Sequence, residues 1–435
     1  MPILSTEDQE IEYPQFLVRG PSEDKSIYSI SVTTLDVEEQ DNVQNWLENI
    51  PYGSTYDMTV RKFTLQQEEF LGIPEGPVTL ESVWQQEFPL DTPSKVHIGG
   101  VILKQNRFLA VVGSTTGTGA VYGPSEGDDE DGFITLLDLK SGDLLELTED
   151  QQVNNIRIGT AQDDVLMGVC DHPGDENAFF IVGATQGKFG ISNDDTTAPN
   201  GSLTAFVSKI NTQTLKADWT RQLGARMNPE DASTVTGSFA SGCAVIGKRV
   251  YVGGGVQADA RMWNDKTSNY LESKGGDDIW VASFNANSGK TNWMQQIGSA
   301  GQERLSKHGG VAADALGNVI VYGDTTGSMY RQKDDGNDNS DVFLIVLDGA
   351  TGDYTMTDDG SPVAAPTLPP VEDVVTTAPP QAAPTAPFVP VGDQLSFQDT
   401  RVGGMSYDAR NHQAWLAGAL YETDQGNDGE TKCFI

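Results

Sequence analysis

Nine residues, Leu109 to Gly117 (Leu-Ala-Val-Val-Gly-Ser-Thr-Thr-Gly), constrain the fold more than any other stretch, because the chain repeats them. The pattern returns as Phe180-Ile-Val-Gly183-Ala-Thr-Gln-Gly187, as Tyr251-Val-Gly253 and as Ile320-Val-Tyr-Gly323-Asp-Thr-Thr-Gly327. The intervals 183 − 113, 253 − 183 and 323 − 253 are each 70 residues. A fixed period of that size marks a repeat architecture in which no unit buries its apolar faces alone.

Each unit opens with a small-residue start (Gly99-Gly100, Gly168, Gly242, Gly309-Gly310 or Gly403-Gly404) followed by an apolar strand. A turn leads to the second strand with its glycine, then comes a long acidic loop. A third strand follows: Gly132–Leu137, Leu203–Ser208, Asp278–Ser283 or Asp341–Val346. A turn and a fourth strand close the unit. The strands are apolar on both faces, as in Val319-Ile-Val-Tyr-Gly323, which is the pattern of sheets covered on both sides. The predicted fold is all-β, a β-propeller of four-stranded antiparallel blades. Glu12–Arg19, Ser29–Thr34, Asp57–Leu65 and Val83–Phe88 read as further strands, and Asp36–Ile50 reads as a helix. The next copy, Trp415-Leu-Ala-Gly418, lies 418 − 323 = 95 residues on, and Ser361–Pro390 is rich in Pro, Ala and Thr. The expected organisation is an N-terminal segment (1–55), blades (56–360), a disordered insertion (361–391) and a last blade (392–435) without its final strand. Removing 25 residues leaves 410, and 410/70 predicts six blades, with five or a fragment of seven or eight as the alternatives.

The turn between third and fourth strands carries a family likeness. Ser283, Asn285, Ser288, Gly289 and Trp293 resemble the tryptophan-docking motif of quinoprotein-type (PQQ-like) propellers, Ala-x-Asp-x-x-Thr-Gly-x-x-x-Trp. Asn211, Thr214 and Trp219 match it without the glycine; Asp138, Ser141, Gly142 and Asp348, Thr351, Gly352 match it without the tryptophan. In that family the tryptophan packs between adjacent blades. The Gly-x-Thr-x-Gly ending and the segments Trp219–Gly224, Trp293–Gly298 and Trp84–Phe88 also resemble the bacterial SBBP repeat. The quinoprotein resemblance implies a quinone-dependent oxidoreductase. It is set aside, because that family has eight blades and often a disulfide of adjacent cysteines, and this chain has no adjacent pair.

Against 63 Asp and Glu stand 27 Lys and Arg, a formal charge of −36. Such a surface repels nucleic acid and suits cations or basic partners. No apolar run is long enough for a membrane span, and no basic and apolar leader opens the chain. Cys170 and Cys243 fall at neighbouring but not identical points of the repeat, so they should point to opposite faces of their strands and act as buried apolar fillers.

The acidic loops are the candidate metal sites: Asp128, Asp129 and Asp131 in one, and Asp335, Asn337, Asn339 and Asp341 in another. Alternating oxygen ligands with an intervening glycine suit Ca²⁺; the plainer account is solvated hairpin loops. His97 and His308 both precede a Gly-Gly start and are the candidate channel pair. Asn200-Gly201-Ser202 is a glycosylation sequon. The expected function is a non-enzymatic interaction scaffold with a protein or glycan ligand, an extracellular module or the ectodomain of a longer protein. The alternative is a lyase or hydrolase at the mouth of the channel, using His97, His308 and loop carboxylates. Recurrence marks Leu109–Gly117 as scaffold, so function should lie where the copies differ, as at Asp324 in place of Ser114 and Gln186 in place of Thr116.

Overall fold

The computed structural model describes the strands of residues 1–89 and 400–435. Of residues 96–355 it describes all but 105, 120, 123–128, 149–151, 190–201, 231–234, 307–308, 315, 328 and 330–340. The expected helix at 36–50, the Pro/Ala/Thr-rich stretch and the sequon asparagine lie outside the described residues. Every regular element described is a strand.

Six antiparallel sheets follow one another along the chain. The first is Ile11–Arg19, Ser26–Thr34, Thr55–Gln66 and Thr79–Pro89, with Ile3–Leu4 added beside its first strand. The second is Val96–Lys104, Phe108–Thr115, Asp131–Asp138 and Asn155–Ile158. Asp164–Asp171, Ala178–Thr185, Thr204–Asn211 and Ala217–Leu223 make the third. Ser238–Ile246, Arg249–Val256, Asp278–Asn285 and Thr291–Ile297 make the fourth. In the fifth, Glu303–Leu305 and Val311–Ala313 both pair with Asn318–Thr325, which pairs with Asp341–Asp348. The sixth is Thr400–Asp408, Gln413–Glu422 and Glu430–Phe434. A smaller sheet, which the repeat did not announce, joins Ala225–Arg226, Val235–Thr236, Arg261–Asn264 and Asn269–Tyr270 beside the fourth.

Four apolar clusters lie between consecutive sheets. Leu109 and Val111 pack with Tyr28, Ile30 and Val60 of the first sheet, whereas Ala110 and Val112 pack with Phe179, Ile181 and Phe206 of the third. Successive side chains of one strand thus enter different clusters, which is why the strand is apolar throughout rather than alternating. The same division places Val252 against the third sheet and Tyr251 against the fifth.

The first strands approach one another backbone to backbone. A Cβ on Gly99 would lie 2.0 Å from Leu166 O, one on Gly168 2.7 Å from Ser241 O, and one on Gly242 1.7 Å from Gly309 O. Only glycine allows such contacts. Each first strand also carries a bulge at this level, at Pro14/Phe16, Ile98/Gly100, Leu166/Gly168, Ala240/Gly242 and Val402/Gly404. In the fifth sheet the bulge grows into the excursion between Leu305 and Val311. The kink drives the preceding carbonyl over the second strand. Cβ atoms on Gly113, Gly183, Gly254 and Gly323 would meet the carbonyl oxygens of His97, Val165, Phe239 and Arg304 at 2.1, 2.0, 1.8 and 1.9 Å. The structural counterpart in the fourth sheet is therefore Gly254, not Gly253, and the steps are 70, 71 and 69 residues rather than three equal ones.

Each tryptophan of a fourth strand lies over a turn glycine of another sheet. Cβ atoms on Gly142, Gly289 and Gly352 would meet the rings of Trp84, Trp219 and Trp293 at 2.6, 2.7 and 2.7 Å. The indole N–H groups of Trp219 and Trp293 donate to Ala286 O and Gly349 O, at 3.1 and 3.0 Å. Two residues further on, Gln86, Arg221 and Gln295 donate to the carbonyls of Ser141, Gly289 and Gly352. Between the second and third sheets neither partner is present. Leu215 occupies the turn position at φ +52°, fully buried in the cluster those two sheets share. A bulkier turn residue there makes up for the missing indole, at the roughly 1–2 kcal/mol cost of left-handed backbone.

Cys170 and Cys243 form a disulfide, with Cα atoms 5.7 Å apart, and are not separate fillers. They do point to opposite faces, but of consecutive sheets: the forward face of the third looks at the backward face of the fourth, so opposite faces bring the sulfurs together.

Gly247 has φ +55° and no neighbour within 4 Å of a Cβ, while Gly289 at φ +65° faces Trp219. Gly247→Ala is expected to cost about 1 kcal/mol, and Gly289→Ala about 2 kcal/mol more through overpacking, as read from denaturant midpoints. The disulfide closes a separation of 73 residues. Its removal by Cys243→Ser is expected to cost about 4 kcal/mol, measured by equilibrium unfolding with and without reductant.

Candidate functional site

Chemistry-bearing side chains gather at the end of the sheets where first strands begin, second strands end and third strands begin. The connection from one sheet to the next turns this corner, and at two of the corners a carboxylate holds it. After the second sheet, Thr160 donates its backbone N–H and its hydroxyl (2.9 Å) to Asp164 Oδ2, on the first strand of the third sheet. After the fourth sheet, Ser299 donates its N–H (2.8 Å) and hydroxyl (2.5 Å) to Glu303, which also accepts from Thr325 Oγ1 at 2.6 Å. Thr115, Thr185 and Thr325 each accept the N–H of the glycine two residues on, at 2.9 Å. The Gly-x-Thr-x-Gly motif is thus a turn that caps its own strand.

A second carboxylate meets the first at two of these corners. Asp131 Oδ1 and Asp164 Oδ2 lie 1.9 and 3.2 Å from where a Gly159 Cβ would stand; Asp278 Oδ1 and Glu303 Oε2 lie 1.8 and 2.9 Å from that of Gly298. All four residues are buried. Burial pushes the Asp164 carboxyl upward against the hydrogen bonds of Thr185 and Thr160, and the nearby Asp129 adds to the rise. Burial likewise raises Asp278, with Glu303 contributing repulsion. At the corner between the third and fourth sheets the same places hold hydroxyls: Gln222 Nε2 donates to Thr204 Oγ1, and Ser238 Oγ donates to Leu223 O at 2.9 Å. Arg157 runs along the second sheet, donating to Thr115 O (2.8 Å) and Gly117 O. Burial lowers its own pKa, and Asp131 and Asp129 counter that.

One row differs from its copies in reactive groups. His97 stands opposite Ser114 in the register of the second sheet, and the Ser114 hydroxyl donates to Glu130 Oε1 at 2.8 Å. Glu130 is anchored through its backbone: its N–H donates to Asp163 Oδ1 (3.1 Å) and its carbonyl accepts from Asp164 N (2.6 Å). His97 is 8% exposed and Ser114 fully buried. The equivalent pairs are Val165 with Ala184, Phe239 with Gly255, and Arg304 with Asp324. His97 therefore corresponds to Arg304 rather than to His308, which falls in the fifth sheet's excursion, outside the described residues.

Of the proposed metal ligands, Asp128, Asp335, Asn337 and Asn339 also lie outside the described residues. Asp131 and Asp341 begin third strands, and Asp129 sits beside the Asp131–Asp164 corner. Among the described residues no group of three His, Cys, Asp or Glu converges as a metal site. No helix among them is long and apolar enough to cross a membrane.

A second charged cluster occupies the opposite end of the third sheet. Fully buried Lys104 donates to Asp171 Oδ1 (2.6 Å), His172 O (3.1 Å) and Asp175 O (2.8 Å), and Lys209 pairs with Asp175 at 2.9 Å. His172 stacks on Phe180 with ring centroids 5.6 Å apart, and burial lowers its pKa. The sequence reading singled out Asp129 and Asp131 but missed Asp164, the Asp278–Glu303 pair and the Lys104 cluster. The spacings Gly159-Thr160-x-x-x-Asp164 and Gly298-Ser299-x-x-x-Glu303 were available to find the corners.

No family model and no curated protein matches the chain. Among solved structures it is similar to an ACO/RPE65 chimera in a monoclinic crystal form, at a TM-score of 0.36 and 11% identity, over 99% of this chain and 88% of that one. The expected non-enzymatic interaction scaffold with a protein or glycan ligand finds no support in these comparisons and is withdrawn.

His172 is held neutral by burial, so its folded value lies below the unfolded 6.5. Its contribution to stability is complete above that value and is lost as pH falls from it toward the folded one. His172→Phe is expected to flatten the acid side of the melting-temperature profile in that window, measured by thermal scans across pH.

Proposed function

We propose that the chain is a hydrolase with a serine-centred acid–base site, built at one end of a six-bladed propeller formed by the six consecutive sheets. Junctions of one design, with tryptophans laid on turn glycines, support the propeller and its likeness to tryptophan-docking repeats.

The observation that carries the activity is the Ser114 hydroxyl donating to the Glu130 carboxylate at 2.8 Å, with His97 opposite in register. A general base must lie within hydrogen-bond reach of the proton it abstracts, and Glu130 meets that condition. Ser114 is the nucleophile, Glu130 accepts its proton, and His97 on the adjacent strand protonates the leaving group. Water then attacks the acyl-serine and gives its proton to His97, while Glu130 returns its proton to Ser114 Oγ as the acid product leaves. The row is apolar in the third and fourth sheets, so the fold itself does not require these groups. The charge of −36 favours uncharged or cationic substrates over polyanions. The complete burial of Ser114 favours small ones.

The test is hydrolysis of a small neutral ester by the wild type and by Ser114→Ala, Glu130→Gln and His97→Gln. Loss of the base or acid is expected to lower kcat by about 10²–10⁴, with Ser114→Ala abolishing turnover and melting temperatures little changed. Equal rates in all four proteins would remove the reading.

A further inference from the structure

The corner between the fourth and fifth sheets is unlike the other two described. Between the third and fourth sheets, hydroxyls of Thr204 and Ser238 occupy the paired places. Between the second and third, Arg157 lies near enough to Asp131 for the two charges to interact. At Gly298 two buried carboxyls meet without such a partner. Asp278 Oδ2 accepts from Lys274 N at 2.9 Å and Gln296 Nε2 at 2.7 Å, while Oδ1, buried and without a hydrogen-bond partner, lies on the Gly298 side with Glu303 Oε2.

The charged groups around the pair do not neutralise it. Lys274 extends its ammonium to Glu272 at 2.8 Å, and Arg304 donates to Gln302 at 3.1 Å. Asp277 accepts from Ala258 N, and Asp341 stands across from Thr325 in register, so both add negative charge. Ser299, Thr325 and Gln296 contribute neutral donors.

We infer that Asp278 keeps a proton and turns it toward Glu303, forming a proton-operated latch across this junction. With the proton present, the Asp278 hydroxyl donates toward Glu303, and the Gly298-Ser299 corner is clamped between two sheets. When the proton leaves to solvent, two like charges remain in a buried site on the same side of Gly298, which is unfavourable, and the corner loosens. Because the folded state holds the proton more tightly than the unfolded chain, the latch stabilises the fold in mild acid. That stability falls as pH rises from the ordinary aspartate value of 3.8 through the raised folded one. The latch shares no residue with the Ser114 site and does not depend on it.

The experiment is a set of thermal melts of the full chain from about pH 8 to about pH 5, for wild type, Asp278→Asn and Glu303→Gln. The amide introduced by Asp278→Asn can keep the two accepted hydrogen bonds and donate to Glu303 at any pH. Asp278→Asn should therefore melt at least ~2 °C above wild type at the alkaline end, with the difference closing in acid. Difference infrared spectra should show a protonated carboxylic acid band in wild type that Asp278→Asn removes and Asp164→Asn does not. Parallel melting profiles for wild type and Asp278→Asn would overturn the latch. If neither variant folds, absence of the acid band from wild type in mild acid would overturn it as well.

Discussion

The approach of one first strand to the next, close enough for the carbonyl of Leu166 to sit where a Gly99 Cβ would be, is the contact on which the described sheets depend. A sheet that buries both faces needs neighbours on both sides, and here the first strands come nearest to each other. Side chains cannot fit there, so glycine recurs at 99, 168 and 242. The bulge that accompanies each approach pushes a carbonyl toward the second strand, which in turn requires Gly113, Gly183, Gly254 and Gly323. One steric condition thus accounts for both glycine positions of the repeat.

At the outer side the same junctions are closed by larger groups. An indole over a turn glycine contributes apolar contact of roughly 1.5–3 kcal/mol and a hydrogen bond to the turn. Leu215 shows that the junction selects for filled volume rather than for tryptophan, since the leucine tolerates a left-handed backbone where its partner strand lacks the indole. The disulfide ties the inner strands of the third and fourth sheets, and the small extra sheet joins the fourth through Gln296, which accepts from Met262 N and donates to Ala260 O.

Where the copies of the repeat diverge, the corner chemistry diverges too. Hydroxyls, a carboxylate pair near an arginine, and a carboxylate pair without a cation occupy equivalent places at three successive junctions. The His97–Ser114–Glu130 row occupies a fourth distinctive position, in a register that elsewhere holds Val165, Phe239 or Arg304. Burial at these sites raises the energy of charge and sets which groups stay protonated, so small sequence differences on one scaffold become large differences in acid–base behaviour.

Periodicity alone was enough to read strand order and the positions of most strands, because burial on two faces writes continuous apolar runs into the sequence. It also pointed to Ser114 and Asp324 as places where copies differ. The third glycine was misplaced by one residue, because Gly253-Gly254-Gly255 offers three candidates and only the carbonyl of Phe239 selects among them. The disulfide was misread for a related reason: alternation along a strand tells which face a cysteine takes, while the neighbour of that face is decided by how sheets stack. Partnerships such as Asp278 with Glu303, Lys104 with Asp171, and Ser114 with Glu130 join segments 16 to 67 residues apart. Local sequence determined the strands and their glycines through sterics and burial; tertiary structure decided which polar groups share a desolvated space, because that depends on distances no local pattern encodes.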